Sequence, residues 1–190
     1  MRRATGLTIL TGGLLLGLCQ EVSAQDLLNQ IRQRGVLRWG ADQEGGGPYV
    51  YPKTEDPTQV VGFEVDIANL LARQIGVQAQ FVQGQWDKLP DLLERGDVDI
   101  VLNGYEWTPQ RGERYGCSIP YYLYELQLLA RKDSVWNTID HLNAPAGEPP
   151  RIVGVLGGTS AEEYLRQHFP KSVKILSFDG PNDAMRGVEL

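Results

Sequence analysis

"GFEVDIANLLARQIGVQAQFV", residues 62–82, decides the fold class. Ile67, Leu70, Leu71 and Ile75 fall at helical spacing on one face, so Gly62 to Gly76 reads as an amphipathic helix. Gly76 stops it, because glycine enters the left-handed conformation of a helix C-terminus without a Cβ clash. Val77 to Val82 then alternates apolar and polar residues, the period of a strand. A helix that runs straight into a strand is half of a βαβ unit, and the sequence on either side supplies the rest.

Upstream, Asp26 to Arg34 places Leu27, Leu28 and Ile31 at helical spacing and ends at Gly35. Val36 to Gly40 reads as a strand. Ala41 to Val60 is rich in Gly, Pro, Asp and Thr and reads as a loop. Downstream, Trp86 to Arg95 has Leu89, Leu92 and Leu93 on one helical face, with Pro90 in the first turn and Gly96 closing it. Asp97 to Leu102 is a short apolar strand. The order strand, helix, strand, helix, strand with short connections predicts an α/β sheet with parallel strands. In such sheets ligands sit beyond the carboxyl ends of the strands. Ala41-Asp42 lies at one such end and "NGYEWTPQR", residues 103–111, at another.

The pattern then restarts. Tyr121 to Arg131 reads as a long apolar strand, and "NAPAGEPP", residues 143–150, as turns. Arg151 to Leu156 is a strand, Gly157-Gly158 a tight turn, and Thr159 to Phe169 a helix with Ser160 and Glu163 as its capping box. Ser172 to Ser177 is another strand, Phe178 to Pro181 a turn, and a further helix starts at Asn182. The expectation is two α/β units, the second unfinished at Leu190.

Composition bounds the function. The chain has 190 residues, 42% hydrophobic and 22% charged, with net charge −6 and a pI of about 5.0. With no basic run and no arginines interleaved with aromatics, nucleic acid is not expected as a partner. Residues 1–24 read as an export signal: Arg2 and Arg3 form a positive start, Leu7 to Leu18 is apolar, and Val22-Ser23-Ala24 offers small residues for cleavage. The apolar run is short and glycine-rich for a membrane span. Bulky Leu18 before Cys19 argues against a lipoprotein. Cleavage after Ala24 leaves one cysteine, Cys117, and therefore no internal disulfide. Cys117 is read as a buried small apolar residue. His141 and His168 have no partners at ligand spacing, so no metal is expected. His168 reads as a surface residue.

Four stretches in register carry a resemblance: "GFEVDIANLLARQIG" (62–76), "WDKLPDLLERGDVDIVLNG" (86–104), "TPQRGERYGCSIPYY" (108–122) and "VGVLGGTSAEEYL" (153–165). Together they resemble the extracellular solute-binding proteins of family 3, periplasmic amino-acid-binding proteins of ABC importers. The resemblance implies a two-lobed periplasmic-binding-protein fold with mainly parallel sheets, hinged around an amino acid. It places lobe one at 25–130 and part of lobe two at 131–190, after a signal peptide at 1–24. It implies a periplasmic or other extracytoplasmic location, an amino-acid ligand, a transporter permease as partner, and no cofactor. Two other settings stay open: a cyclohexadienyl dehydratase on the same fold, or the binding domain of a longer permease or sensor chain. The family continues through a Gly-Arg-x-Asp segment whose aspartate holds the ligand ammonium. "DAMRGVEL" (183–190) stands where that segment starts, so residues 25–190 alone are expected to gain little stability from a ligand.

The resemblance also assigns roles. Arg111 matches the arginine that clamps the ligand carboxylate, and its planar fork suits that task as lysine does not. Thr159 and Ser160 open a helix whose free N–H groups contact the same carboxylate; ordinary N-capping is compatible with this. Asp42 matches a position that contacts ligand side chains or ammonium, and equally reads as a loop acid. Tyr49 and Trp86 match pocket walls, or are core aromatics. Gly104 matches a site where a carbonyl faces the ligand, or is a turn glycine. Glu106 departs from the family, which has a small hydroxyl residue there. Beside a ligand carboxylate it would repel, so it should face an ammonium or guanidinium, or pair with Arg111. The ligand inferred is cationic or ammonium-bearing. On the dehydratase reading Glu106 would be the general acid.

Overall fold

The computed structural model describes residues 24–45, 48–136 and 138–189. The export signal read at 1–24 lies outside the described residues apart from Ala24. Helix α1 (Ala24–Arg34) leads into strand β1 (Val36–Ala41) through Gly35, and β2 (Tyr51–Lys53) and β3 (Asp56–Val61) follow. Then come α2 (Phe63–Ile75), β4 (Gln78–Gln83), α3 (Leu89–Glu94), β5 (Ile100–Val101) and α4 (Pro109–Arg114). Strand β1 is central in a parallel sheet of order β4-β1-β5, pairing Val36–Ala41 with Gln78–Gln83 and Trp39-Gly40 with Ile100-Val101. The second unit holds β6 (Arg151–Leu156), α5 (Ser160–His168), β7 (Val173–Phe178) and α6 (Pro181–Glu189), with β6 and β7 parallel in register Arg151 to Val173. Among the described residues no helix is long and apolar enough to cross a membrane.

Helix α2 shows how the first core is built. Its buried face is Glu64, Ala68 and Ala72, four residues apart, whereas Leu70 and Leu71 are exposed. Apolar spacing alone turns those leucines inward, and the structure corrects this. The small alanines let the helix approach the sheet closely, and Ala68 packs with Trp39, Ala41, Val50 and Leu102. Ala72 joins Ile31 and Leu37 in a second cluster that ties α1 to the sheet. At the amino end of β5, Asp99 is buried and accepts hydrogen bonds from the Arg38 backbone (2.8 Å) and guanidinium (2.9 Å), with Arg34 a further partner. Burial pushes the Asp99 pKa up, but these hydrogen bonds outweigh it and leave the carboxyl below its ordinary value.

The structure corrects four more expectations. The loop at 41–60 contains the antiparallel β2–β3 pair. Pro52 and Pro57 and their exposed surroundings hide its strand character, because proline is tolerated at an edge but removes a ladder donor. Tyr121 to Arg131 has no regular structure, and Ile119 and Leu123 are almost wholly exposed. Its apolar residues favour a strand, but a strand needs a hydrogen-bonded neighbour, and none of the described strands pairs with it. Cys117 is exposed rather than buried, on the loop after α4. The cap of α5 sits one residue earlier than its sequence suggests: Thr159 Oγ1 accepts from the Glu162 N–H at 3.5 Å, and Glu162 accepts from the Gly158 N–H at 2.8 Å.

Candidate functional site

Arg111 is positioned by the residues just before it. Thr108 caps α4, accepting the Arg111 N–H at 3.2 Å, and Pro109 starts the helix with its φ already set. The helix follows β5, so Arg111 stands beyond a strand's carboxyl end, where the α/β rule places ligands. Its guanidinium lies over the rings of Tyr105 (4.9 Å) and Trp86 (5.4 Å), which are stacked on each other at 4.3 Å and 6°. The cation thus lies within cation–π distance of both rings of the stack. Arg111 Nη2 donates across the cleft to the Gly158 carbonyl at 2.9 Å, so the residue touches both α/β units.

Glu106 is Arg111's other partner. Arg111 Nη1 donates to the Glu106 carbonyl at 2.8 Å and to Oε2 at 3.0 Å. Oε1 accepts from the Tyr124 hydroxyl at 2.8 Å and from the Ser160 N–H at 3.3 Å. Of the roles considered for Glu106, the structure displays the pairing with Arg111. Burial, then the hydrogen bond to Glu106, raises the Tyr124 pKa, so the phenol keeps its proton and donates.

Trp86 is buried, and its indole N–H donates to the Asn103 carbonyl at 2.9 Å. The Tyr105 hydroxyl hydrogen-bonds the Trp86 carbonyl, and burial raises the Tyr105 pKa. Asp42 is buried and has a framework task. It accepts from the Glu44 N–H (3.0 Å), the Gln83 side-chain amide (3.0 Å) and the Trp86 N–H (3.2 Å), while its own N–H donates to Asn103 Oδ1 (3.0 Å). These bonds lock the ends of β1 and β5 and the Trp86 turn together.

Tyr49 lies among aromatics, 5.3 Å from Phe63 and 5.5 Å from Tyr122 between ring centres. Gly104 has φ 61°, a left-handed turn, and a Cβ there would come within 3.1 Å of the Tyr49 ring. Its N–H donates at 2.8 Å to Glu64, a fully buried carboxylate that also accepts from Tyr121 at 2.6 Å. The second Glu64 oxygen has no partner among the described residues. Desolvation raises the Glu64 pKa against the opposing pull of those two bonds. Thr159 Oγ1 donates to the Leu156 carbonyl at 2.7 Å.

Arg111, Glu106, Trp86 and Ser160 are therefore brought together, with Gly158 closing the group from the second unit. Asp42 adjoins through Trp86, and Tyr49 through Gly104. Sequence reasoning missed Tyr105, Tyr124, Asn103 and Glu64. Tyr105 and Asn103 flank Gly104 in the singled-out stretch, whereas an acid in a helix's first turn, such as Glu64, reads as a solvated complement to the helix dipole. Among the described residues no cluster of His, Cys, Asp or Glu could hold a metal ion.

An α/β chain with mainly parallel sheets, whose strand ends and helix N-terminus face one cleft across an arginine, belongs to the periplasmic binding class. Residues 37–181 match the family model of the bacterial extracellular solute-binding proteins, family 3, and the chain belongs to that family. It is similar to the L-cystine-binding protein TcyJ of Escherichia coli (strain K12), 32% identical over 157 residues that make 82% of this chain and 55% of that protein. Among solved structures it resembles the ancestral amino acid-binding protein AncCDT-1, a precursor of cyclohexadienyl dehydratase. That match has TM-score 0.76 and 32% identity, covering 85% of this chain and 69% of that one. It also resembles the arginine-bound form of truncated ArgBP from T. maritima, with TM-score 0.75 and 26% identity over 85% of this chain and 72% of that one. The chain spans about half the length of the curated relatives it matches.

Proposed function

We propose that the protein captures an amino acid between its two α/β units and delivers it to the permease of an ABC importer. The observation that carries this reading is Arg111, held over Trp86 and Tyr105 and reaching Gly158 at the start of α5. A carboxylate placed there meets a fixed guanidinium fork and the N–H groups of a helix N-terminus, each favouring an anion. No reaction is needed, only higher affinity in the closed state than in the open one. On this reading Tyr49, Trp86, Gly104, Glu106, Arg111, Thr159 and Ser160 border the ligand, with Asp42 bracing the Trp86 turn, residues 25–130 and 131–190 form the lobes, and the mature chain works outside the cytoplasm after cleavage of 1–24. The ligand is an ammonium-bearing amino acid, with basic ones preferred because the site carries its own carboxylate. Its likeness to arginine-bound ArgBP supports that class. Equilibrium binding of labelled amino acids to the full-length protein tests it, and a preference for glutamate or aspartate over arginine, lysine and neutral amino acids would sink it.

A second reading rests on the likeness to a dehydratase precursor. A dehydratase needs a general acid, and Glu106 is the acid at the site. In this structure, however, the Arg111 guanidinium, the Ser160 N–H and the Tyr124 hydroxyl all donate to it, and of the three only the hydroxyl could turn to accept a carboxylic proton. Incubation with prephenate or arogenate separates the readings: product formation would favour the enzyme.

A further inference from the structure

Three donors surround the Glu106 side chain, and on the amino-acid reading two of them, Arg111 and the Ser160 N–H, would receive a ligand carboxylate. Oε2 takes Arg111 Nη1 at 3.0 Å, and Oε1 takes the Ser160 N–H at 3.3 Å and the Tyr124 hydroxyl at 2.8 Å. The carboxylate is largely sequestered, at 13% side-chain exposure, and the paired guanidinium is at 22%. Both Nη1 protons are committed to Glu106 and one Nη2 proton to Gly158, so a ligand carboxylate that takes the fork between Nη1 and Nη2 must displace Glu106.

Resting on the amino-acid reading above, we propose that Glu106 is a built-in occupant of the carboxylate subsite and that the ligand binds by exchanging with it. The ligand carboxylate takes over Arg111 and the Ser160 N–H, and the ligand ammonium takes over the released Glu106 carboxylate. Charge is conserved at the site, since one carboxylate replaces another and the released one gains a cation. Glu106 is thereby a specificity-determining residue. A zwitterion satisfies both halves of the exchange. A plain carboxylate satisfies only the first and leaves Glu106 facing an anion, an unpaired charge that selects against it. The same contact ties Ser160 of the second unit to the first.

The test uses the full-length protein and acetate, the smallest carboxylate and nearly the group that Glu106→Ala removes. Melting is compared in sodium acetate and sodium chloride at equal ionic strength. The wild type is expected to melt at the same temperature in both. Glu106→Ala is expected to melt higher in acetate by on the order of 2 °C, and Glu106→Ala combined with Arg111→Ala to lose that response. A response shared equally by wild type and Glu106→Ala, or absent from both, overturns the proposal. If Glu106→Ala does not fold, Glu106→Gln keeps the volume and carries the test through L-arginine and N-acetyl-L-arginine. The wild type should disfavour the acetylated form by at least about tenfold and the variant clearly less, the ammonium having lost its partner. Equal discrimination by the two proteins overturns the proposal. An acetate response in Glu106→Ala with no amino acid affecting the wild type would support the occupied subsite and overturn the amino-acid reading alone.

Discussion

The Arg111 guanidinium and the Gly158 carbonyl meet at 2.9 Å across the cleft. One residue belongs to the turn of helix after β5 and the other to the turn after β6, so this side chain links the two α/β units, as the Glu106 contact with the Ser160 N–H also does. Removing it should loosen that link. Arg111→Ala is expected to raise the radius of gyration measured by small-angle scattering, because hinged α/β units separate when cleft contacts are lost. An unchanged radius would show that other contacts hold the units together.

Gly62 has φ 136°, and a Cβ there would lie 1.9 Å from the Tyr49 carbonyl oxygen. The close approach has a purpose: the Pro48 carbonyl accepts the Phe63 N–H at 3.0 Å, capping α2 where no side chain does. Gly62→Ala must distort this turn, at a cost of about 2 kcal/mol or more. The urea midpoint is expected to fall accordingly. A midpoint within error of wild type would remove the account of the α2 entry.

Glu64 sets a pH dependence. Its folded pKa is raised, mainly by desolvation, above the 4.5 of an ordinary glutamate. Above 4.5 the unfolded chain releases this proton while the folded chain retains it. The folded state then binds more protons, so stability from this group is full below 4.5 and falls as pH rises through the folded pKa. The substitution Glu64→Gln would keep an oxygen for Gly104 and Tyr121 without the charge. Urea midpoints across this range should therefore move in favour of Glu64→Gln as pH rises; parallel profiles would contradict the assignment.

Much of the framework is legible in the sequence because glycines punctuate it. Gly35, Gly76 and Gly96 end helices in left-handed turns, which sets the alternation of helix and strand. Thr108 and Pro109 are residue types of a helix start, a signal the sequence reading left unused, and they set the place of Arg111. What is not legible depends on distant contacts. Leu70 and Leu71 carry more hydrophobicity than Ala68 and Ala72, yet close packing against the sheet selects the alanines. Tyr121 to Arg131 has strand chemistry without a bonded partner among the described residues. Asp42 reads as a ligand-facing loop acid, but donors from Glu44, Gln83 and Trp86, up to 44 residues away, converge on its carboxylate. Glu106 stands out in the sequence as a departure from the family pattern. Its contact with Ser160, 54 residues on, needs the assembled cleft.

The central claim is that Arg111 receives the carboxylate of an amino acid. Calorimetric titration of L-arginine into the full-length protein and into Arg111→Lys tests it most directly, since lysine keeps the charge but loses the planar fork. The account predicts binding to the wild type and an affinity at least about tenfold weaker in the variant, the size of one charge-assisted hydrogen bond. Equal affinity in the two proteins would contradict it.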